Sequence, residues 1–486
     1  MNSAKLLPFR IFTIALFIFL LCPNLLRDGM FVDGLWYAAI ANNLAQGIGS
    51  AWSPQFTETV FPQFHEHPPL QFWLQSAFFK ILGSGLFTER LYCFLMVLIS
   101  VFSLYFLWKF IYKQENGVQY LAFLPILFWL LNEDVILSYP NNLLECTMGV
   151  FTFSAVFVLL LLIENEVESR FESYNWSLVV IAGVLTYLAF LAKGLVGLFP
   201  LAFFAVHWLA FRRLSLQKSI LYTILLVGIC GFCLIITLQF TEAYHGLVAY
   251  FNNQVIAALQ GERTENIRPS HFYILKRLLE KNMVMILLSI GFAIGFQYFK
   301  TPFLNQKDRQ WVIFLLLTGI TASFPLMISI KQASYYLLPS LPFYCTAFAV
   351  LIGRGLFMLV SKIQIQQFGY KFFSIVSLLF LGYAVYYTFS QLEKIDKRDQ
   401  MLLTEVRMIG SSIPNGTTIS SKTQQFEAAL HGYFQRYYYI SLDEKDQSLH
   451  SYLLISKELD TLPLENYRRM KLPLHKYHFY KKIKTN

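Results

Sequence analysis

About eleven blocks of apolar residues alternate with polar stretches along the chain, at 9–26, 86–106, 120–131, 143–163, 176–192, 195–211, 220–240, 283–299, 311–330, 335–352 and 372–389. Most approach the roughly 20 residues that a helix needs to cross a bilayer, and the apolar strip 70–82 is too short to count. Hydrocarbon offers backbone N–H and C=O groups no partner, so the pattern predicts an all-α polytopic membrane bundle. Lys5 and Arg10 precede the first block and no small-residue cleavage site follows it, which reads as a retained anchor with a cytoplasmic amino end. Counting spans from there puts Lys109, Lys113, Arg212, Arg213, Lys218, Lys300, Lys307, Arg309, Arg354, Lys362 and Lys371 on the cytoplasmic side, as the positive-inside bias requires. Only the acidic link 164–172 fits poorly.

An odd number of spans carries residues 391–486 to the external side, after a transmembrane part at 1–390. Charges become frequent there, and Ile413-Pro414-Asn415-Gly416 reads as a turn. Helices at 400–409 and 423–434, with strands at 437–440, 452–455 and 478–483, predict a small α/β domain without a catalytic motif.

Composition agrees with the pattern. Charged residues make up 14% and hydrophobic ones 56% of 486 residues, against roughly 25% charged in a water-soluble globule. The net charge of +10 divides between the topological bias and a basic tail at 468–484. No basic patch joins a nucleic-acid motif, so the bilayer is the expected partner and nucleic acid is not. The six cysteines lie in or at the ends of apolar blocks, and even the Cys230/Cys233 pair reads as helix packing rather than a disulfide framework or zinc site.

The unusual polar residues converge on the external face: segments 27–90, 132–142 and 241–282, the Lys193-Gly194 turn, and Lys331. Within the first, Asp33 opens a helix whose apolar residues at 35, 36, 39, 40 and 44 share one face, which predicts an interfacial helix with Asp33 capping its start. Further on, Pro68-Pro69 holds Glu66 in a defined place between His65 and His67. That carboxylate could bind a metal or orient a substrate, or the segment could be a polar loop tip. Glu145 opens a span and needs a partner or a wet cavity. Lys193 and Lys331 could simply snorkel from helix ends.

Four of these segments, in order, resemble the lipid-linked-sugar-dependent glycosyltransferases of the C-type superfamily, which includes protein O-mannosyltransferases and lipid A aminoarabinose transferases. The carrying residues are Asp33 with Leu35-Trp36-Tyr37, Glu66-His67-Pro68-Pro69-Leu70 with Trp73, Lys193-Gly194-Leu195-Val196-Gly197, and Lys331 through Tyr335-Tyr336-Leu337-Leu338-Pro339. The resemblance implies interfacial helices in the first external loop above a cavity open to lipid. It further implies a polyprenyl-phosphate sugar donor, inversion at the anomeric centre, and a lipid, glycan or protein acceptor. Asp33 takes the family's catalytic acidic position and Glu66 the second, which binds a metal in some relatives, so a divalent metal stays open as a cofactor. Lys331, Arg268, Lys193 and Arg263 are the candidates for the donor phosphate, and Tyr37, His67, Glu145, His271 and Tyr335 for substrate contacts. The site would face the periplasm from a bacterial inner membrane. Two departures stand out: relatives often carry Asp-Glu where this chain has Asp33-Gly34, and aminoarabinose transferases have lysine at the position of His67. A secondary transporter is the rival reading from another class, and a lipid-linked polysaccharide polymerase or ligase shares the topology. An inert scaffold explains the spans but not the motifs.

Overall fold

The computed structural model describes residues 3–115, 117–168, 172–260, 270–298, 304–329, 331–445, 450–459 and 466–483. Its helices are α1 (Leu7–Leu26), α2 (Val32–Ala45), α3 (Leu70–Leu82), α4 (Thr88–Ile111), α5 (Phe123–Leu130), α6 (Glu133–Ser138), α7 (Leu144–Val167), α8 (Glu172–Lys193) and α9 (Phe203–Phe211). There follow α10 (Leu216–Leu238), α11 (Thr241–Tyr250), α12 (Ala257–Leu259), α13 (Tyr273–Tyr298), α14 (Gln306–Ser323), α15 (Leu341–Lys362), α16 (Phe368–Phe389), α17 (Gln400–Gly410) and α18 (Ala428–Tyr438). Among the described residues nine helices are long and apolar enough to cross a membrane, and two shorter apolar helices cover Val118–Leu130 and Leu195–Phe211. The chain is an integral membrane protein, mostly helical, with a small carboxyl-terminal sheet.

The first and last long helices, α1 and α16, close the bundle by an aromatic seam in which Phe9, Phe12 and Phe19 meet Phe373, Phe380, Tyr383 and Tyr387. Large rings at spacings of three and seven residues pack tilted against one another along one face, with Thr388 Oγ1 donating to Ile18 O at 3.4 Å between the same helices. At one end of the bundle several basic residues are paired. Lys113 binds Glu164 at 2.5 Å and Glu168 at 3.6 Å, Lys218 binds Glu166 at 2.8 Å, and Arg354 binds Glu115 at 2.7 Å and Asp308 at 2.8 Å. The acidic link after α7 therefore belongs with the basic residues: it neutralises lysines from α4's end and α10's start.

The opposite end carries the 27–90 segment and the carboxyl-terminal sheet. Helix α2 buries more than the single apolar face that its spacing predicts, because it is covered on both sides, by α3 and by α18. Besides Leu35, Ala39 and Ile40, the residues Tyr37, Ala38, Ala41, Asn42 and Asn43 are buried. Its small residues let neighbours approach closely, and its asparagines are used: Asn42 Nδ2 donates to Tyr439 Oη at 3.0 Å, and Asn43 Nδ2 to Phe56 O at 2.7 Å.

The sheet has five strands: β1 (Thr418–Lys422), β2 (Ser441–Asp443), β3 (Tyr452–Ser456), β4 (Tyr467–Arg469) and β5 (Tyr477–Lys482), in the order β2-β1-β3-β5-β4. The first three run parallel, and β5 is antiparallel to both its neighbours. Tyr437-Tyr438-Tyr439-Ile440 has strand-favouring side chains but is not a strand. Tyr437 and Tyr438 close α18, Tyr439 turns left-handed at φ 55, and β2 begins after Ile440. Tertiary packing overrides the propensity, since Tyr437 Oη donates to Asp28 Oδ1 at 2.6 Å. The sheet's core of Leu403, Val406, Ile419, Phe434, Leu454 and Phe479 continues into Met30 and Leu35. The segment carrying Asp33 is thus packed into the carboxyl-terminal region.

Candidate active site

Asp33 lies in the first turn of α2, two residues past the N-cap position, and the N-cap, Phe31, makes no side-chain cap. Its carboxylate is engaged elsewhere: Tyr335 Oη donates to Asp33 Oδ2 at 3.1 Å. Tyr335 belongs to the tight 3-10 segment Ser334–Ser340 that leads into α15, and its neighbour Tyr336 stands edge-on to it at 5.1 Å. Lys193, the last residue of α8, places its Nζ 4.6 Å from the Tyr336 ring centre and 5.8 Å from that of Tyr335. The same Nζ pairs with Glu145 at the start of α7. With the Lys193 side chain 9% exposed and that of Glu145 1% exposed, each charge here needs the other.

Tyr37 stands one turn beyond Asp33. Burial pushes its phenol well above the usual range, and the nearby carboxylates of Asp33 and Glu145 push it further. Both effects favour the neutral phenol. Its ring meets His67 edge-on at 5.9 Å. Next along that loop, Glu66 accepts a hydrogen bond from the Gln254 amide. Pro69 forms the N-cap position of α3, so the two prolines do hold the loop against the start of a helix. His65 lies against α11, where a side chain at Gly246 would come 2.7 Å from Trp52 O, and burial lowers the His65 imidazole below its ordinary value.

The Lys193-Gly194 motif has a steric reason. Gly194 adopts φ +98, and a Cβ there would lie 1.8 Å from the Tyr250 hydroxyl, so any other residue would expel Tyr250 from the turn that presents Lys193. The contacts bring Asp33, Tyr37, Glu145, Lys193 and Tyr335 into one cluster, with His67 and Glu66 beside it. His271 is held apart from these, its Nδ1 2.8 Å from Met327 O and its carbonyl accepting from Gln332 Nε2 at 3.0 Å. Lys331 adjoins that Gln332, with its own N–H on Ser329 Oγ at 3.1 Å. Arg263 and Arg268 lie outside the described residues.

Sequence reasoning missed Gln254, Asn142 and Arg90, and saw Tyr336 only as part of a motif. The buried Arg90 guanidinium binds the carbonyls of Pro140 and Gly29, tying the chain just before Asp33 to the turn before α7. An arginine at the start of an apolar span was the available signal. As a metal site the donor set does not fit: Glu66 Oε2 takes an amide hydrogen bond, and no group of three or more His, Cys, Asp or Glu comes together among the described residues.

Residues 66–236 match the family described as dolichyl-phosphate-mannose-protein mannosyltransferase. No curated protein matches the chain by sequence. The crystal structure of ArnT from Cupriavidus metallidurans bound to undecaprenyl phosphate has the same fold, with a TM-score of 0.63 over 100% of this chain and 99% of that one, at 12% identity. The archaeal oligosaccharyltransferase AglB from Archaeoglobus fulgidus, in complex with an inhibitory peptide and a dolichol-phosphate, is similar over 95% of this chain and 70% of its own, with a TM-score of 0.51 and 12% identity. Residues 66–236 are thus similar to the protein-mannosyltransferase family, in a chain that shares the ArnT fold along its whole length.

Proposed function

We propose that the chain moves a sugar from a polyprenyl-phosphate donor to a hydroxyl of a lipid, glycan or protein acceptor, with inversion, at the periplasmic face of a bacterial inner membrane. The observation that carries this reading is the contact of Asp33 with Tyr335 beside the Lys193–Glu145 pair, at the end of the bundle opposite the paired basic residues. The bound undecaprenyl phosphate of the ArnT structure supports the donor class.

In the proposed transfer the acceptor oxygen attacks the anomeric carbon from the side opposite the phosphate. The bond from that carbon to the phosphate oxygen breaks, its electron pair leaves with the polyprenyl phosphate, and the acceptor proton passes to Asp33. A carboxylate within hydrogen-bond reach strengthens the nucleophile as the proton leaves. Tyr335 fixes the carboxylate's direction. Lys193, partly neutralised by Glu145, contributes oriented N–H donors toward the leaving phosphate. Lys331, in the link between the 3-10 segments Phe324–Ile328 and Ser334–Ser340, would add positive charge together with Arg263 and Arg268. Glu66, steadied by Gln254, orients the acceptor or sugar hydroxyls together with His67 and Tyr37.

The test is a reconstitution. Purified protein is incubated with lipid-linked sugars extracted from producing cells and with membranes of cells lacking the protein, and the products are read by mass spectrometry. A sugar gained by one acceptor, with loss of the corresponding lipid-linked sugar, is expected. Accumulation of a small molecule across vesicles without any transfer would instead return the secondary transporter. In the same assay Tyr335→Phe, which removes the hydroxyl bound to a carboxylate, should lower kcat by roughly 10- to 100-fold, in line with the ~1.5–3 kcal/mol of a hydrogen bond to a charged group. An unchanged rate would remove Tyr335 from the mechanism.

A further inference from the structure

Asp33 sits between two backbone groups that the 139–142 turn grips with side chains. The N–H of Phe31 donates to Asn141 Oδ1 at 2.7 Å, and Gly34 O accepts from Asn142 Nδ2 at 3.0 Å. The turn comes so close that a Cβ on Gly34 would lie 1.8 Å from Asn141 O and 3.1 Å from Asn142 Cβ. Backbone cannot retreat as a flexible side chain can, so only glycine fits. Here the departure beside Asp33 finds a physical reason: the second acidic side chain would occupy the space taken by the turn.

Asn142 is itself fixed from behind. It is 2% exposed and left-handed at φ 56, a conformation asparagine tolerates better than most residues. Its Oδ1 accepts from Gln71 Nε2 at 3.2 Å and from Gln75 Nε2, and Gln75 Oε1 lies 3.3 Å from Asn142 Nδ2. Gln71 Oε1 in turn accepts from Thr147 Oγ1 at 2.6 Å, and that hydroxyl meets Tyr92 Oη at 2.6 Å. Gly34 O can only accept, so the amide nitrogen must face α2 and the amide oxygen must face α3. Helices α3, α4 and α7 thereby converge, through one buried amide, on the peptide next to Asp33. A fully satisfied buried network of this kind fixes a single geometry.

We infer that Asn142, with Asn141, is a positioning residue for Asp33: it holds the first turn of α2 where the carboxylate meets both Tyr335 and the acceptor. The inference rests on the glycosyl-transfer reading and on Asp33 as its base. Two substitutions separate positioning from folding. Asn142→Gly keeps the left-handed backbone and removes the side chain. Asn142→Asp keeps the size and the acceptor for Gln71 and Gln75 but loses the donor to Gly34 O. With extracted lipid-linked sugar as donor and membranes lacking the protein as acceptor, both should lower kcat by about 10- to 100-fold, the scale of an ångström-sized misplacement. The KM for the donor should stay within about twofold, because the donor's own contacts are untouched. Asn141→Asp, which retains the acceptor for Phe31 N–H, should keep near-normal turnover, whereas Asn141→Ala should lose it. Should Asn142→Gly fail to accumulate, Asn142→Asp carries the test. Wild-type kcat in Asn142→Asp, or a loss shared equally by Asn141→Asp and Asn141→Ala, would overturn the inference. A fully active Asp33→Asn protein would overturn the underlying assignment of the base instead, and the two failures are read from different variants.

Discussion

Asp33→Asn should abolish sugar transfer, with kcat lower by about 10²- to 10⁴-fold, the usual contribution of a positioned general base, while the protein accumulates and binds lipid-linked sugar as before. The substitution changes little besides basicity. An asparagine oxygen can still accept from Tyr335 Oη, now 3.1 Å from the carboxylate. The first turn of the helix is gripped through Phe31 N–H and Gly34 O, neither of which involves the side chain. Turnover is measured by mass spectrometry of the acceptor, and folding by the thermal midpoint in detergent. A variant with normal midpoint and normal turnover would remove Asp33 from proton transfer.

The membrane part of the fold was legible in the sequence because the bilayer imposes a length and forbids unpaired backbone groups, so each block of apolar residues had to be one helix. Pairing between distant charges was not legible. Glu164, Glu166 and Glu168 looked misplaced on the basic side until Lys113 and Lys218, roughly fifty residues away on either side, were found against them. Helix α2 shows a related limit. Its stripe at 35, 36, 39, 40 and 44 identified one buried face, but Ala38, Ala41, Asn42 and Asn43 are buried on the others. Small residues and amides on a supposedly polar face are the composition of a helix covered on both sides.

In the candidate site, residues with family motifs were visible one by one, and Asp33, Lys193, Glu145 and Tyr335 prove to be neighbours. Their supports were not visible. Gln254 reaches Glu66 from 188 residues away, and Asn142 acts through a left-handed turn and a buried amide rather than through any reactive group. The Pro140-Asn141-Asn142 run signals a turn before a span, but only the packed structure says what that turn holds. His271 illustrates the reverse case: a polar residue in a loop at the same end of the bundle is occupied by Met327 O.

Arg436→Met should be the most damaging single change in the carboxyl-terminal region, because it strands a buried charge. Arg436 is 0% exposed and Glu89 3% exposed; their contacts are Nη2 to Oε2 at 2.7 Å and Nε to Oε1 at 3.2 Å. The same guanidinium donates to Ser84 O at 3.2 Å and Gly85 O at 2.9 Å, and lies over the Phe79 ring at 4.8 Å. Removing it leaves the Glu89 carboxylate without its counter-charge, a loss of about 3–5 kcal/mol where one partner of a buried pair is deleted. Arg436→Met combined with Glu89→Leu removes both charges and should recover most of that, since the desolvation penalty disappears with the pair. The damage should reach the active site. Helix α18 backs α2 through Ala428 O, which accepts from Trp36 Nε1 at 2.8 Å, and through Gln435 Nε2, which donates to Asn43 Oδ1 at 2.9 Å. Loosening α18 withdraws one of the two walls that hold the helix carrying Asp33. The single variant should therefore show a lower thermal midpoint in detergent, faster tryptic cleavage after residue 390 and reduced sugar transfer, and the double variant should regain all three together. If the single variant lost transfer with its midpoint and protease resistance intact, Arg436 would act on the chemistry directly and not by fastening α18.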